Sequence, residues 1–191
     1  MLRPVRRIVT GHDDNGRSVV ISDDRSPHIR ENPVHPNRGL TDLWRTFEGL
    51  PSNLGAQDAA ATEVVLSPPT NGTVFRFFQI PPERDVSNLS WEERQRQADA
   101  VFEGMGAAHN RDSEARHPGM HTTETVDYII LLSGEITLVL DEEEVPMRPL
   151  DVVVQRGTNH SWVNTGSEPA VLAAILIDAQ PLPRASVNTI V

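Results

Sequence analysis

Apolar residues occur in short runs along the chain, and most runs are separated by clusters of glycine, proline, asparagine or aspartate. This pattern is typical of β-strands joined by turns. In the first part of the chain, the predicted strands cover residues 5–10, 18–22, 40–47 and 73–80. The first two flank a turn-rich loop and therefore predict a hairpin. Residues 23–39 and 48–62 are polar and predict irregular chain.

One segment has the pattern of a helix. Ser90 is a favourable N-cap residue, and Glu92 and Glu93 follow in the first turn, where the helix dipole favours negative charge. The apolar stripe after them consists of Ala98, Val101, Phe102 and Met105, at spacings that suit one helix face. We expect a helix over residues 91–105, inserted in the domain or packed on its outside.

After residue 120 the pattern changes to closely spaced strands. They are predicted over residues 126–132, 135–140, 151–155, 160–164 and 170–177. Short strands at near-even spacing indicate an antiparallel barrel or sandwich, so the fold class is all-β. The strand at 126–132 is apolar on both faces beyond Asp127. Its outer face therefore needs a cover, from the N-terminal segment or a second subunit.

Length, charge and composition narrow the functions open to the chain. Its 191 residues suit one domain with extensions, and its net charge of −10 disfavours nucleic acid and anionic membranes as partners. All 17 basic residues are arginine and cysteine is absent, which excludes disulfides, thiolate nucleophiles and lysine chemistry. No apolar run has the length of a membrane span or of a signal peptide. We expect a cytoplasmic protein.

Histidine and carboxylate residues mark the candidate site. His121, Thr123 and Asp127 share the parity of one strand face, because side chains alternate along a strand. His160 belongs to a later strand, after a glycine-containing turn, and can meet them inside a barrel. Two imidazoles and a carboxylate with open positions form the ligand set of a non-haem iron(II) site.

At these positions the sequence resembles the cupin superfamily. The first cupin motif is G-x5-H-x-H-x3,4-E-x6-G and the second is G-x5-P-x-G-x2-H-x3-N. The positions that match are His121, Gly134, Gly157, His160 and Asn164. The positions that depart are Thr123 for a histidine, Asp127 for the glutamate, Pro149 for a glycine and Gln155 for the proline. The resemblance spans about residues 116–180 and is nearest to small single-barrel cupins, some of them described as oxidoreductases of secondary-metabolite pathways.

The resemblance implies a single cupin barrel, a double-stranded β-helix or jelly roll, with an N-terminal strand extension and one helix. We expect an N-terminal extension over residues 1–62, the barrel over 63–181 and a tail over 182–191. Cupins commonly pair through their sheets, so the resemblance also implies a homodimer.

The first functional hypothesis is a cupin enzyme that oxidises or dioxygenates an aromatic or polyketide-like small molecule. A divalent metal, iron(II) first and then zinc, manganese or nickel, would be held by His121, His160 and Asp127, which also form the predicted catalytic set. Asp127 is the weaker ligand, because aspartate is one methylene shorter than the usual glutamate. Thr123 and Trp162 are the predicted substrate-binding residues.

Two alternatives remain open from the sequence. A metal-free site could use a His–Asp pair for isomerisation, decarboxylation or cyclisation, since a threonine has replaced one metal ligand. The chain could instead be a non-catalytic barrel that binds a small ligand. Both alternatives use the same pocket.

Overall fold

The protein is described here by a computed structural model, which covers residues 1–32, 35, 37–83 and 88–182. In chain order, the elements are β1 (Arg6–His12), β2 (Ser18–Arg25), β3 (Ile29–Glu31), β4 (Gly39–Thr46), β5 (Thr73–Ile80), α1 (Trp91–Gly104), β6 (Thr125–Ser133), β7 (Ile136–Leu140), β8 (Glu144–Met147), β9 (Val152–Arg156), β10 (His160–Val163) and β11 (Ala170–Asp178). A short 3-10 helix covers Ala108–Asn110. The predicted all-β class with one α-helix is confirmed.

The strands form two larger sheets and a separate hairpin. The six-stranded sheet has the order β3-β4-β5-β11-β6-β9, and the three-stranded sheet has the order β10-β7-β8. The hairpin pairs β1 with β2, as the sequence predicts. All pairings are antiparallel. Strands that are distant in sequence, such as β5 and β11, therefore become neighbours.

Side chains from both larger sheets fill one hydrophobic core. Its buried members are Val74, Ile80, Ile129, Leu131, Ile136, Leu138, Met147, Trp162, Ala170, Leu172, Ala174 and Leu176. Burial alternates along β6, where every second residue from Thr125 to Leu131 is buried, as the two-residue period of a strand requires. The core thus joins the two sheets. Nearly all of its residues lie on strands that the sequence predicts.

Two strands were absent from the sequence prediction. β3 lies within the segment predicted to be irregular, and it forms because Ile29 and Glu31 pair with β4. β8 follows the acidic turn after β7 and contains Pro146. A proline is compatible with β8 because this strand is the edge of its sheet, where a missing N–H breaks no ladder. In both cases the segment is a strand because it pairs with a neighbouring strand, and its own sequence does not indicate this.

The helix begins where the sequence predicts it. The Ser90 hydroxyl accepts a hydrogen bond from the Glu93 N–H, and the Glu93 carboxylate accepts one from the Ser90 N–H, which makes a capping box. Phe102 is its buried residue. Among the described residues, no helix is long and apolar enough to cross a membrane.

The predicted N-terminal extension is part of the main sheet. Its strand β4 pairs with β5, with Thr41 opposite Phe77 and Trp44 opposite Phe75. The predicted boundary at residues 62 and 63 therefore falls between two neighbouring strands of one sheet, and it stays a prediction. The predicted tail lies outside the described residues from residue 183 onward.

Candidate functional site

The sequence-predicted site residues surround one cavity of about 250 Å³. Its lining includes His121, Thr123, Asp127, His160 and Trp162. The volume lies just below the range of about 300–1,000 Å³ that is typical of pockets for drug-sized ligands. Residues that are far apart in the two sequence motifs therefore meet at a space suited to a small molecule. Their individual roles stay predictions.

The two histidines are neighbours in both backbone and side chain. The His121 N–H donates to the His160 carbonyl, and the His160 N–H donates to the His121 carbonyl, each at 3.0 Å. The two ring centroids are 4.3 Å apart, with an interplanar angle of 44°. This antiparallel bridge joins His121, which precedes β6, to His160, the first residue of β10. It therefore fixes the relative position of two imidazoles from separate segments.

The hydrogen bonds of the two rings determine their tautomers. His121 Nδ1 lies 2.9 Å from the Gly119 carbonyl oxygen, and His160 Nδ1 lies 2.9 Å from the Thr158 carbonyl oxygen. A carbonyl oxygen only accepts, so each Nδ1 is the donor and each Nε2 keeps a free lone pair. Among the described residues, neither Nε2 has a hydrogen-bond partner.

Burial keeps both imidazoles neutral. It lowers the pKa of His121 from 6.5 to about 3, with a further lowering from the neighbouring His160, and it lowers the pKa of His160 to about 4. The hydrogen bonds to backbone carbonyls oppose these shifts only in part. Neutral rings with a fixed tautomer are the form in which histidine binds metals or accepts protons.

Asp127 is a buried acidic group in the cavity wall, and the exposed Glu31 also lines the cavity. Asp127 is 3% exposed, and its Oδ1 atom is buried without a hydrogen-bond partner among the described residues. Burial raises the pKa of Asp127 from 3.8 to about 6, although the Thr125 hydroxyl and the Arg76 guanidinium act in the opposite direction. An apolar surrounding disfavours the carboxylate and favours the neutral acid. Asp127 can therefore change protonation state near neutral pH.

Thr123 is also buried in the cavity wall. Its Oγ1 accepts a hydrogen bond of 2.7 Å from the Thr125 hydroxyl. The Thr123 hydroxyl proton therefore remains available for a group in the cavity. This geometry suits the predicted role of Thr123 in orienting a bound molecule.

A divalent metal at this site needs neutral imidazoles and further oxygen or nitrogen ligands. His121 and His160 fit the first requirement, because their Nε2 lone pairs are free and their tautomers are fixed. Among the residues that the structure describes, no group of three or more His, Asp or Glu side chains is arranged to hold an ion. Asp127 lies in the same cavity, and its place as third ligand stays a prediction.

A buried ion network lies against the cavity. Arg76 Nε is 2.9 Å from Asp42 Oδ1, and Arg45 Nη2 is 2.6 Å from Asp42 Oδ2. Arg76 also donates to the carbonyls of Val65 and Leu66, at 2.7 and 3.0 Å. The sequence pattern gave no sign of this network, because its members come from two strands and a loop.

The helix and the N-terminal extension complete the cavity wall. Phe102 of α1 packs against His121, with ring centroids 4.9 Å apart. Arg38 and Leu40, just before and within β4, also line the cavity. The helix is therefore a wall of the site and does not lie only on the outside. Phe102 was visible in the apolar stripe, but the sequence did not indicate which surface the stripe covers.

A second hydrogen-bonded group adjoins the cavity. The Ser161 hydroxyl lies 2.9 Å from His117 Nδ1, which also accepts a hydrogen bond from the Gly119 N–H. On the other side of the ring, His117 Nε2 is 3.6 Å from Glu83 Oε1. Ser161 lines the main cavity, whereas His117 and Glu83 line an adjoining cleft. His117 thus lies in the adjoining cleft and contacts Ser161, a residue of the main cavity wall.

The chain was compared with known proteins. The cupin-domain model matches residues 107–177. The cupin-domain-containing oxidoreductase virC of Hypocrea virens is 39% identical over 188 residues, which cover 95% of this chain and 79% of virC. The cupin-domain-containing oxidoreductase fogC of Aspergillus ruber is 28% identical over 185 residues, which cover 93% of this chain and 74% of fogC.

A solved structure also resembles the chain. The Cnp3 cupin domain of Schizosaccharomyces pombe aligns with 91% of this chain and 87% of its own, at 12% identity and a TM-score of 0.43. The relationship to virC extends over nearly the whole chain, and the predicted motif histidines lie together at one cavity. The chain therefore belongs to the cupin family.

Proposed function

We propose that the chain is an oxidoreductase that oxidises a small, largely apolar organic molecule in this cavity. The observation that carries the proposal is the pair of neutral imidazoles, His121 and His160, with free Nε2 atoms on an apolar pocket. The names of the relatives virC and fogC support the same reaction class. Dioxygen is the oxidant, and its reduction takes up the electrons that the substrate loses.

His121 and His160 would hold a divalent metal, iron(II) first and zinc, manganese or nickel after it. Asp127 is the third ligand that the sequence motif predicts. When bound, iron(II) supplies the redox chemistry toward dioxygen that amino-acid side chains lack. The carbonyls of Gly119 and Thr158 hold the two rings in the tautomer that metal binding requires.

The remaining cavity residues position the substrate. Phe78, Phe102 and Trp162 present aromatic surface, and Phe78 and Trp162 pack with ring centroids 6.2 Å apart. Such walls favour an aromatic or polyketide-like body and exclude water from the reacting part. Thr123 donates its hydroxyl proton to a polar group of the substrate or to a bound water.

The test combines metal content with oxygen uptake. Purified protein is loaded anaerobically with iron(II), and elemental analysis compares the wild type with the His121→Ala/His160→Ala variant. The matched control is His109→Ala, an exposed histidine of the short 3-10 helix. We expect near-stoichiometric iron in the wild type and the control, and loss in the double variant. Wild-type protein without iron, or equal iron in all three, would contradict the proposal.

Oxygen uptake with a panel of phenols and aromatic ketones then tests the reaction. The proposal expects iron-dependent uptake with at least one compound, abolished in the double histidine variant and retained in His109→Ala. Uptake that is the same after EDTA treatment would remove the metal from the mechanism.

A second candidate is metal-free proton transfer by Asp127. The specific observation is its buried, unpartnered Oδ1 atom in an apolar cavity beside two neutral imidazoles. A carboxyl group with a raised pKa of about 6 can act as an acid or a base at neutral pH. This candidate expects isomerisation, decarboxylation or cyclisation that persists in EDTA and is lost in Asp127→Asn. Binding without turnover under every metal condition would leave a non-catalytic barrel.

A further inference from the structure

Arg38 is a cation without a partner at the cavity. Its side chain lines both the main cavity and the adjoining cleft that contains Glu83 and His117. Among the described residues, the Arg38 guanidinium has no hydrogen bond and no ion pair. It is nevertheless close enough to His121 for its charge to lower the pKa of that imidazole. Arg38 therefore lies beside the proposed reaction centre.

Two other arginines of the cavity wall, Arg30 and Arg76, are held by ion pairs and hydrogen bonds within the protein. Arg76 pairs with Asp42 and donates to two backbone carbonyls. Arg30 donates to the carbonyls of Val64 and Gly104 and pairs with Glu63. These two guanidiniums have structural roles in the wall. Among the described arginines of the lining, Arg38 is the one whose side-chain donors are free.

A half-buried guanidinium without a carboxylate is energetically unfavourable. Burial lowers the pKa of Arg38, and the negative charge of Glu83 offsets this only in part. Glu83 is itself engaged with Arg94 and lies near His117. Removing a cation from water without pairing it costs free energy, and an incoming anion would recover that free energy. An anion bound where the cavity meets the cleft would therefore be stabilised by Arg38.

We propose that Arg38 binds the carboxylate of the substrate, so that the molecule accepted by the cavity is an apolar carboxylic acid. The inference rests on the proposed function, since it names the substrate class of the same site. The planar guanidinium presents two parallel N–H donors that match the two oxygens of a carboxylate. A doubly charged phosphate is a poorer match, because the cavity offers one free guanidinium to it. The apolar body would then lie between Phe102 and Trp162.

The experiment measures binding of matched acids and amides. The probes are benzoate, cinnamate and 1-naphthoate, each compared with its neutral carboxamide by calorimetric or NMR titration at pH 7.5. We expect the wild type to bind the acid of at least one pair about tenfold more tightly than the amide. This preference should disappear in Arg38→Gln and fall to an intermediate value in Arg38→Lys, which keeps the charge but loses the planar fork.

Arg96→Gln is the matched control. Arg96 is an exposed arginine of α1, so its removal changes net charge equally and should leave the acid preference intact. Equal binding of acids and amides by the wild type across all pairs would overturn the inference, whatever the variants show. A preference that survives in Arg38→Gln would overturn it as well. Arg38→Gln should fold normally, because no partner in the described structure loses a bond, and Arg38→Lys gives a second comparison.

These outcomes are separable from the proposed function, because binding is measured without turnover. An acid preference that depends on Arg38, in a protein that never consumes oxygen, would support this inference and contradict the oxidation. Oxygen uptake that is unchanged by Arg38→Gln and by removal of the substrate carboxylate would support the oxidation and contradict this inference.

Discussion

His121 and His160 pair twice, through reciprocal backbone hydrogen bonds of 3.0 Å and through imidazole rings whose centroids are 4.3 Å apart. The two residues are 39 positions apart in the chain, yet their separation in space is fixed by a β-bridge. Each ring is further held by a carbonyl two residues before it in the sequence, at Gly119 and Thr158. The pair is therefore rigid before any ligand binds, as a reactive site requires.

The neutral state of this pair predicts a pH dependence of stability. The pKa of each imidazole is lower in the folded protein, about 3 for His121 and about 4 for His160, than the ordinary 6.5. Protonation therefore favours the unfolded chain, so stability is complete above pH 6.5 and is lost as the pH falls toward 4. At pH 5 the loss is up to about 2 kcal/mol per imidazole.

Urea unfolding of EDTA-treated protein between pH 7.5 and 4.5 measures this loss. The His121→Gln/His160→Gln variant should show a shallower acid loss than the wild type. His12→Gln, a change in the exposed hairpin, should follow the wild-type curve. Parallel curves for the wild type and the double variant would contradict the assignment of neutral rings.

Asp127 predicts the opposite dependence. Its pKa in the folded protein, about 6, lies above the ordinary 3.8, so ionisation favours unfolding. The destabilisation caused by ionised Asp127 is absent below pH 3.8 and grows as the pH rises through 6. Asp127→Asn should therefore increase the free energy of unfolding at pH 7.5, by up to about 3 kcal/mol, and change it little at pH 4.

The measurement for Asp127 is urea unfolding of wild type and Asp127→Asn at both pH values. Glu124→Gln, a change at an exposed position just before β6, is the control and should have no pH-dependent effect. A destabilised Asp127→Asn at pH 7.5 would indicate that the carboxylate is held by an interaction that favours its charge.

The buried ion network beside the cavity predicts a large loss on breaking it. Asp42 is fully buried and forms ion pairs with both Arg45 and Arg76. Asp42→Asn leaves both guanidiniums buried with reduced compensation, and should cost about 3–5 kcal/mol of unfolding free energy. Asp23→Asn breaks the exposed pair with Arg6 and should have no measurable effect. Equal unfolding midpoints for the two variants would show that the buried network is not essential.

The outer face of the six-stranded sheet predicts self-association. Val154, Tyr128, Ile175 and Phe75 stand opposite one another on β9, β6, β11 and β5 and form one apolar row. Val154 is 56% exposed and Tyr128 is 44% exposed. Because the row is apolar and uncharged, a second copy of the same face is a suitable cover. We propose this face as the interface of the homodimer expected from the sequence.

Light scattering coupled to size exclusion tests the dimer. We expect a dimeric wild type and a monomeric Val154→Asp variant, since the substitution places a charge within the apolar row. Leu50→Asp is the control, because Leu50 is 99% exposed in a loop away from the strands. A monomeric wild type, or a dimer unaffected by Val154→Asp, would exclude this interface.

Much of the fold followed from local pattern. Short apolar runs bounded by turn residues placed the barrel strands, and the Ser90 capping signal placed the start of the helix to the residue. Strands β3 and β8 could not be placed in this way, because they have only three and four residues and form by pairing with neighbouring strands of the sheet. Local pattern fails wherever the hydrogen-bond partner, rather than the side chain, decides the conformation.

For the candidate site too, the sequence determined some properties and the tertiary structure determined the others. The sequence by itself determined His121, Thr123, Asp127 and His160 as candidates, because strand parity and motif spacing depend only on positions along the chain. The tertiary structure alone decided which nitrogen of each ring is free, that Asp127 lacks a partner at Oδ1, and that Arg38 and Phe102 join them. These properties depend on burial and on contacts between segments far apart in sequence, and no local pattern of residues encodes such contacts.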